Sequence, residues 1–336
     1  MNIPFTSLIC ALPILLSFPT PSALANAVPT TNLAFSPYVD ITLNVAWDPQ
    51  YQDLEPMDLL KVTQNSGVKN YHLAFITDAG SCNPAWGGQS TYATKDSWAS
   101  HLTTKLHKNN INYTISFGGA NNNDISRDCD IKQLNNIFEQ VITTYQPTGF
   151  DFDIENGSAN VTKLMTALHQ FQQYHPDIKL SFTLPVMPEG LTYSGQDILQ
   201  QAQASSLNFS VNIMAMDYGP SYSSDMGQYA IEASTNLFSF LHKLYPEKSD
   251  IELWRMVEVT PMIGVNDVSV EQFTLENVDT LARFAQQNHL GGLSLWSIAR
   301  DNPCADKWAS SICSGNNLQS RPYEFSQRFI QAVGTV

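Results

Sequence analysis

A chain of 336 residues can hold two average domains or one large barrel, and length alone does not choose between them. Hydrophobic residues make up 43%, enough for a sizeable core, while the net charge of −14 excludes nucleic acid and anionic membrane surfaces as the expected partners. The same acidic balance makes the expected substrate neutral or cationic, and a charged fraction of only 14% suggests recognition by hydrogen bonds and stacking.

Residues 8–18 form an apolar run, followed by the small residues Ala23 and Ala25 and then Asn26, the layout of a secretory signal peptide. No Lys or Arg precedes the run, but Pro13, Pro19 and Pro21 oppose a buried helix, and the run is too short to span a bilayer. The expectation is a signal peptide over 1–25 and a mature domain over 26–336, with residues 25–27 (ANA) as a second cleavage point. The protein is then extracellular, or periplasmic if it crosses only an inner membrane. Loss of the leader leaves Cys82, Cys129, Cys304 and Cys313, an even number that in an exported chain implies disulfides. Cys304 and Cys313 flank the short segment CADKWASSIC and are expected to pair, leaving Cys82 with Cys129. Their spacings do not resemble a zinc site.

Beyond the leader, runs of β-branched and aromatic residues alternate with amphipathic segments. Strands are expected at 38–45, 70–77, 112–117, 149–155, 179–186, 209–217, 255–263 and 291–298. Helices are expected at 131–145, 161–175, 228–245, 277–289 and 322–333, where apolar residues recur at helical spacing. Eight strand and helix units without a linker rich in Pro, Ser or Gly point to a single-domain (β/α)8 barrel.

The fourth strand lies in PTGFDFDIENG, residues 147–157. Strand alternation puts Asp151, Asp153 and Glu155 on one face and Phe150, Phe152 and Ile154 on the other. The apolar face meets the helices, so the acids line the barrel interior, with Glu155 nearest the C-terminal rim where this fold builds its sites. Neighbouring acids are ~6.5 to 7 Å apart along the strand, close enough to couple their protonation. Buried carboxylates without shared protons or hydrogen bonds are costly, which points to function rather than packing. No His sits in the motif and no second acidic cluster supports it, so neither a metal nor another cofactor is expected; the seven histidines share no ligand spacing.

The segment TGFDFDIE resembles the D-G-x-D-x-D-x-E strand of the chitinases of glycoside hydrolase family 18, with Thr148 in place of the first acid. SFGG at 116–119 is similar to the family's S-x-G-G motif, MAMDYG at 214–219 to its M-x-Y-D motif, and LSLWS supplies a tryptophan at Trp296. The resemblance implies that Glu155 is the general acid, that Asp153 steadies the substrate's acetamido group and that Asp151 tunes Asp153. It also implies substrate-assisted catalysis through an oxazolinium ion with retention of configuration. Trp296 is then the floor beneath the donor sugar.

The family's tyrosine position holds Met216, while Tyr218 follows Asp217. Alternation places Met214, Met216 and Tyr218 on one face and Asp217 on the other unless a bulge intervenes, so which side chain reaches the acetamido group stays open. Trp47, Trp86 and Tyr222 are candidate stacking platforms, whereas Trp98 and Trp254 are expected to be structural. Only GVNDVSVEQFTLE separates the seventh strand from its helix, so the small α+β insertion of some relatives is expected to be absent and the cleft open. The reading is a secreted, monomeric endochitinase acting on chitin or N-acetylglucosamine oligosaccharides. The alternatives are an endo-β-N-acetylglucosaminidase on N-glycan cores and a non-catalytic chitin-binding lectin; retention of Glu155 opposes the latter.

Overall fold

The computed structural model describes Met1 and residues 33–334. Apart from Met1, the expected signal peptide and its cleavage points lie outside the described residues. No described helix is long and apolar enough to cross a membrane.

The first barrel strand comes in two pieces, Ala34–Phe35 and Tyr38–Asp40, and this break closes the sheet. Ala34 and Phe35 pair in parallel with Gly292 and Leu293 of the eighth strand, whereas Tyr38, Val39 and Asp40 pair in parallel with His72, Leu73 and Ala74 of the second. Between them, the Ser36 and Tyr38 N–H groups donate to the Leu293 and Leu295 carbonyls at 2.9 and 3.0 Å. The other strands are Asn70–Asp78, Asn112–Gly118, Gly149–Asp153, Lys179–Met187, Ser210–Ala215, Val257–Pro261 and Gly292–Leu293, each parallel to its sequence neighbour. The result is the expected (β/α)8 barrel.

The first strand departs from its expected span of 38–45. It ends at Asp40, whose Oδ1 accepts from the Thr42 N–H at 2.9 Å and from Thr42 Oγ1 at 2.6 Å, turning the chain out of the sheet. A hairpin of Ala46–Asp48 and Asp53–Glu55 follows. The fourth and sixth strands end before their expected limits, at Asp153 and Ala215, so Glu155 and Asp217 stand just past strand ends.

Helix positions follow local signals more closely. Ile131–Tyr145 starts at a capping box of Asp130 and Gln133 and buries Leu134, Ile137, Phe138, Val141 and Tyr145 on one stripe. Val161–Tyr174, Met226–Leu244 and Leu275–Asn288 begin after the side-chain caps Asn160, Asp225 and Thr274, and Glu324–Gly334 is the last helix. Phe150 and Phe152 point outward to this layer, with Phe150 at 5.8 Å from the Phe138 ring and Phe152 at 5.2 Å from Phe117. Their alternation leaves Asp151 and Asp153 facing the barrel axis. After the seventh strand, Met262 bridges in parallel to Trp296, and Gly264–Val265 pairs with Gln272–Phe273 before the helix.

Candidate active site

A cavity of about 500 Å³ opens at the C-terminal ends of the strands, and Asp153, Glu155, Met214, Asp217 and Trp296 all line it. Asp151 lies beneath, fully buried. Its two oxygens accept from four hydroxyls: Tyr38 Oη at 2.8 Å, Ser116 Oγ at 2.6 Å, Ser181 Oγ at 2.6 Å and Thr183 Oγ1 at 2.8 Å. Asn212 braces two of these, because its Nδ2 donates to Tyr38 Oη and to Thr183 Oγ1, both at 3.0 Å. Those two hydroxyls also lie 2.8 Å from each other, where either can donate. Asn212 Oδ1 in turn accepts from Thr260 Oγ1 at 2.8 Å.

Asp153 has a different environment. It is buried, and its Oδ1 has no hydrogen-bond partner among the described residues. Burial, then the charge of Glu155, then that of Asp151 push its carboxyl well above the ordinary range. Glu155 stands more openly at the mouth, and its carboxyl is raised first by desolvation in the cleft and then by Asp217. At both positions the neutral acid is more favoured than in a free carboxyl. The third strand makes room for this stack: a Cβ on Gly118, whose φ is +93°, would lie 2.1 Å from the Asp153 carbonyl oxygen.

Trp296 closes the opposite wall. Its ring stacks on Phe75 at 5.8 Å and tilts towards Tyr38 at 6.2 Å, leaving it half-buried with one side on the cavity. Asp217 reaches the cavity because it adopts a left-handed φ of +52° immediately beyond the sixth strand. Its Oδ1 accepts from the Val268 N–H at 2.9 Å, and burial raises its carboxyl. Alternation fails at this turn: Met214, Met216 and Asp217 all face the cavity.

Three of the expected substrate-binding residues stand elsewhere. Tyr218 is buried, its ring 5.7 Å from Tyr222 and 6.1 Å from Tyr229, because the left-handed turn swings it away from the cavity. Trp86 is completely buried, with Nε1 donating to Tyr145 Oη at 3.3 Å. It ends the strand Pro84–Trp86, which folds back on Ile76 and drives the indole into the helical layer, so it offers no stacking face. Trp47 is 62% exposed on the hairpin after the first strand, outside the cavity lining. Tyr222 Oη donates to Glu189, while Trp98 is buried and Trp254 stacks on Phe238 at 4.2 Å.

Sequence reasoning missed Tyr38, Phe75, Thr183, Asn212 and Asp267. The interior face of the first and fifth strands, read with the acidic strand, pointed to Tyr38 and Thr183; Asp267, on a loop, carried no such signal. Asp267 lines the cavity beside buried Arg300, whose Nη2 donates to the Ile263 and Val265 carbonyls at 2.9 and 2.6 Å. Burial lowers the Arg300 guanidinium to about 10, against the pull of Asp267 and Asp217. Both disulfides are present: Cys82 to Cys129 and Cys304 to Cys313. Among the described residues, Cys304, Asp306 and Cys313 are the one cluster with metal-ligand proximity, and their thiols are already bonded to each other.

No family model matches the chain. It is 32% identical over 316 residues to a probable bifunctional chitinase/lysozyme of Escherichia coli and 32% identical over 293 residues to endochitinase 11 of Metarhizium anisopliae. These alignments take in 88% and 81% of the chain but only 34% and 53% of those proteins, so the chain spans about a third and a half of their lengths. A chitinase of family 18 from Pseudoalteromonas aurantia, 14% identical with a TM-score of 0.57 and covered over 99% of its length by 89% of this chain, shares the fold. The catalytic domain of a hyperthermophilic chitinase from Pyrococcus furiosus superposes with a TM-score of 0.80 and 33% identity, over 91% of this chain and 96% of that domain. With that likeness extending over almost all of a catalytic domain, the chain belongs to the chitinases of glycoside hydrolase family 18.

Proposed function

We propose that this protein hydrolyses the β-1,4 bonds between N-acetylglucosamine units of chitin, with retention and with help from the substrate's own acetamido group. The observation that carries the reading is the inward ladder of Asp151, Asp153 and Glu155, which ends at the mouth of a cavity walled by Trp296. The donor sugar lies on the Trp296 ring, an apolar face for an apolar face. Glu155, whose raised carboxyl favours the protonated acid, gives its proton to the glycosidic oxygen as that bond breaks. Asp153 accepts from the acetamido N–H, and the acetamido oxygen bonds to the anomeric carbon on the opposite side to form an oxazolinium ion. Water then attacks that carbon while Glu155, now a carboxylate, takes its proton. The ring reopens to the acetamido group, and configuration at the anomeric carbon is kept. Asp217 is the third acidic group at the donor sugar.

The protein is exported in this reading, which two disulfides support because they suit an oxidising compartment. The leader over 1–25, a catalytic domain over 26–336, a monomeric state and cleavage within polymer chains through an open cleft belong to this proposal. Trp47 is an outlying contact for a polymer chain in it.

The test compares wild type and Glu155→Gln on soluble chitin oligomers, on a chitobiose-core glycopeptide and on fully deacetylated polymer, with products read by mass. Oligomer cleavage with retained anomeric configuration, lost in the variant and absent on deacetylated polymer, is expected. Cleavage of the glycopeptide alone would replace the reading with an endo-β-N-acetylglucosaminidase, and cleavage of deacetylated polymer would remove the acetamido group from the mechanism.

A further inference from the structure

Glu271 is a fully buried carboxyl to which the chemistry above gives no role. It sits in the loop after the seventh strand, held by the Asn266 N–H donating to its carbonyl at 3.0 Å and by its own N–H donating to Val268 O at 2.8 Å. Its Oε1 accepts from the Gly219 N–H at 2.7 Å, while Oε2 has no hydrogen-bond partner among the described residues. Tyr218 Oη is likewise buried without a partner. From the same loop, the Val268 N–H donates to Asp217 Oδ1 at 2.9 Å.

One loop therefore grips the turn at 217–219 at two points of opposite polarity: a backbone donor on the Asp217 side chain, and a side-chain acceptor on the Gly219 backbone. The grip is needed because the turn is not the chain's default. Asp217 has a φ of +52°, which costs an L residue conformational energy even though Asp bears it better than most, while Gly219 takes its φ of +116° freely. Continued as a strand, the chain would send Asp217 to the face opposite Met214 and Met216 and bring Tyr218 to the cavity. A carboxylate is the strong acceptor for such a hold, and its bond to an N–H is stronger than that of a neutral oxygen. Burial raises the Glu271 carboxyl, and the backbone N–H of Gly219 opposes that rise.

We propose that Glu271 is a positioning residue, a buried latch on the 217–219 turn that presents Asp217 to the donor sugar. This rests on the reading of Asp217 as a substrate-binding group.

The test is a cycle of Asp217→Ala, Glu271→Ala and their double variant on soluble N-acetylglucosamine oligomers, with crystal structures of wild type and Glu271→Ala. Glu271→Ala is expected to lower kcat/KM roughly 10²-fold, the scale of an ångström-sized misplacement. The double variant should be no worse than Asp217→Ala alone, because both changes remove one contribution. Glu271→Gln, which keeps an acceptor oxygen, should recover most of the loss. In the crystal, Asp217 should leave its left-handed conformation and lose Val268. Losses that multiply in the double variant, wild-type kcat/KM in Glu271→Ala, or an unmoved turn would each overturn the latch. If Glu271→Ala does not fold, the same cycle with Glu271→Gln decides, with a smaller loss that should again vanish when residue 217 is already Ala. A wild type that cleaves no oligomer ends the hydrolase reading and leaves the crystal structures to decide the latch.

Discussion

Asp151 and Asp153 stand two residues apart on one strand and face the same way, yet Asp151 accepts four hydroxyl hydrogen bonds while Asp153 Oδ1 accepts none. The deeper acid is fully solvated by the protein. The shallower one lacks such solvation between two other carboxyls and so favours its protonated form.

That difference has a consequence for stability against pH. In the unfolded chain Asp153 titrates near 3.8, and in the folded chain well above it. The folded state therefore binds more protons in between, and stability, full below about pH 3.8, declines as pH rises through the folded value. Asp153→Asn removes this decline and lets an amide donate to its acidic neighbours. At neutral pH the variant is expected to be more stable than wild type, with the gain lost at acid pH and with turnover strongly reduced. Urea unfolding at two pH values checks it; a less stable variant at neutral pH would sink the account of Asp153.

The two disulfides should differ in worth. Cys82 and Cys129 close a loop with a sequence separation of 47, Cys304 and Cys313 one of 9. By loop-closure entropy the first stabilises by about 4 kcal/mol and the second by about 2.6 kcal/mol. Paired Cys→Ser variants should lose stability in that order in denaturant titrations. The first should also lose affinity for oligomers, because its loops carry Gly87, Asn121 and Asn122 into the cavity lining. Equal losses would contradict the loop-length argument.

Trp86 and Trp296 separate packing from binding. Trp86→Ala empties a site in the core and is expected to cost about 3–5 kcal/mol of stability, with kcat/KM per folded molecule unchanged. Trp296→Ala should lower kcat/KM about tenfold or more through lost stacking. Thermal melts beside oligomer kinetics read both. A Trp86→Ala variant that stays stable but binds poorly would return Trp86 to the cleft.

Much of this architecture is legible in the sequence, because it follows from short-range rules. Period-two alternation in GFDFD sends the phenylalanines to the helices and the acids to the axis, and a capping box starts Ile131–Tyr145 where the helical pattern begins. Those rules lapse where a strand ends. Whether Asp217 or Tyr218 faces the cavity depends on a left-handed turn held by Val268 and Glu271, some fifty residues further along. The burial of Trp86 depends on where a returning strand lays its indole, and the solvation of Asp151 on a tyrosine 113 residues away. The sequence by itself determined the barrel and the carboxylate ladder, since each is written in local periodicity. The tertiary structure alone decided which polar groups meet and which aromatic faces stay open, since those are set by contacts between segments remote in the chain.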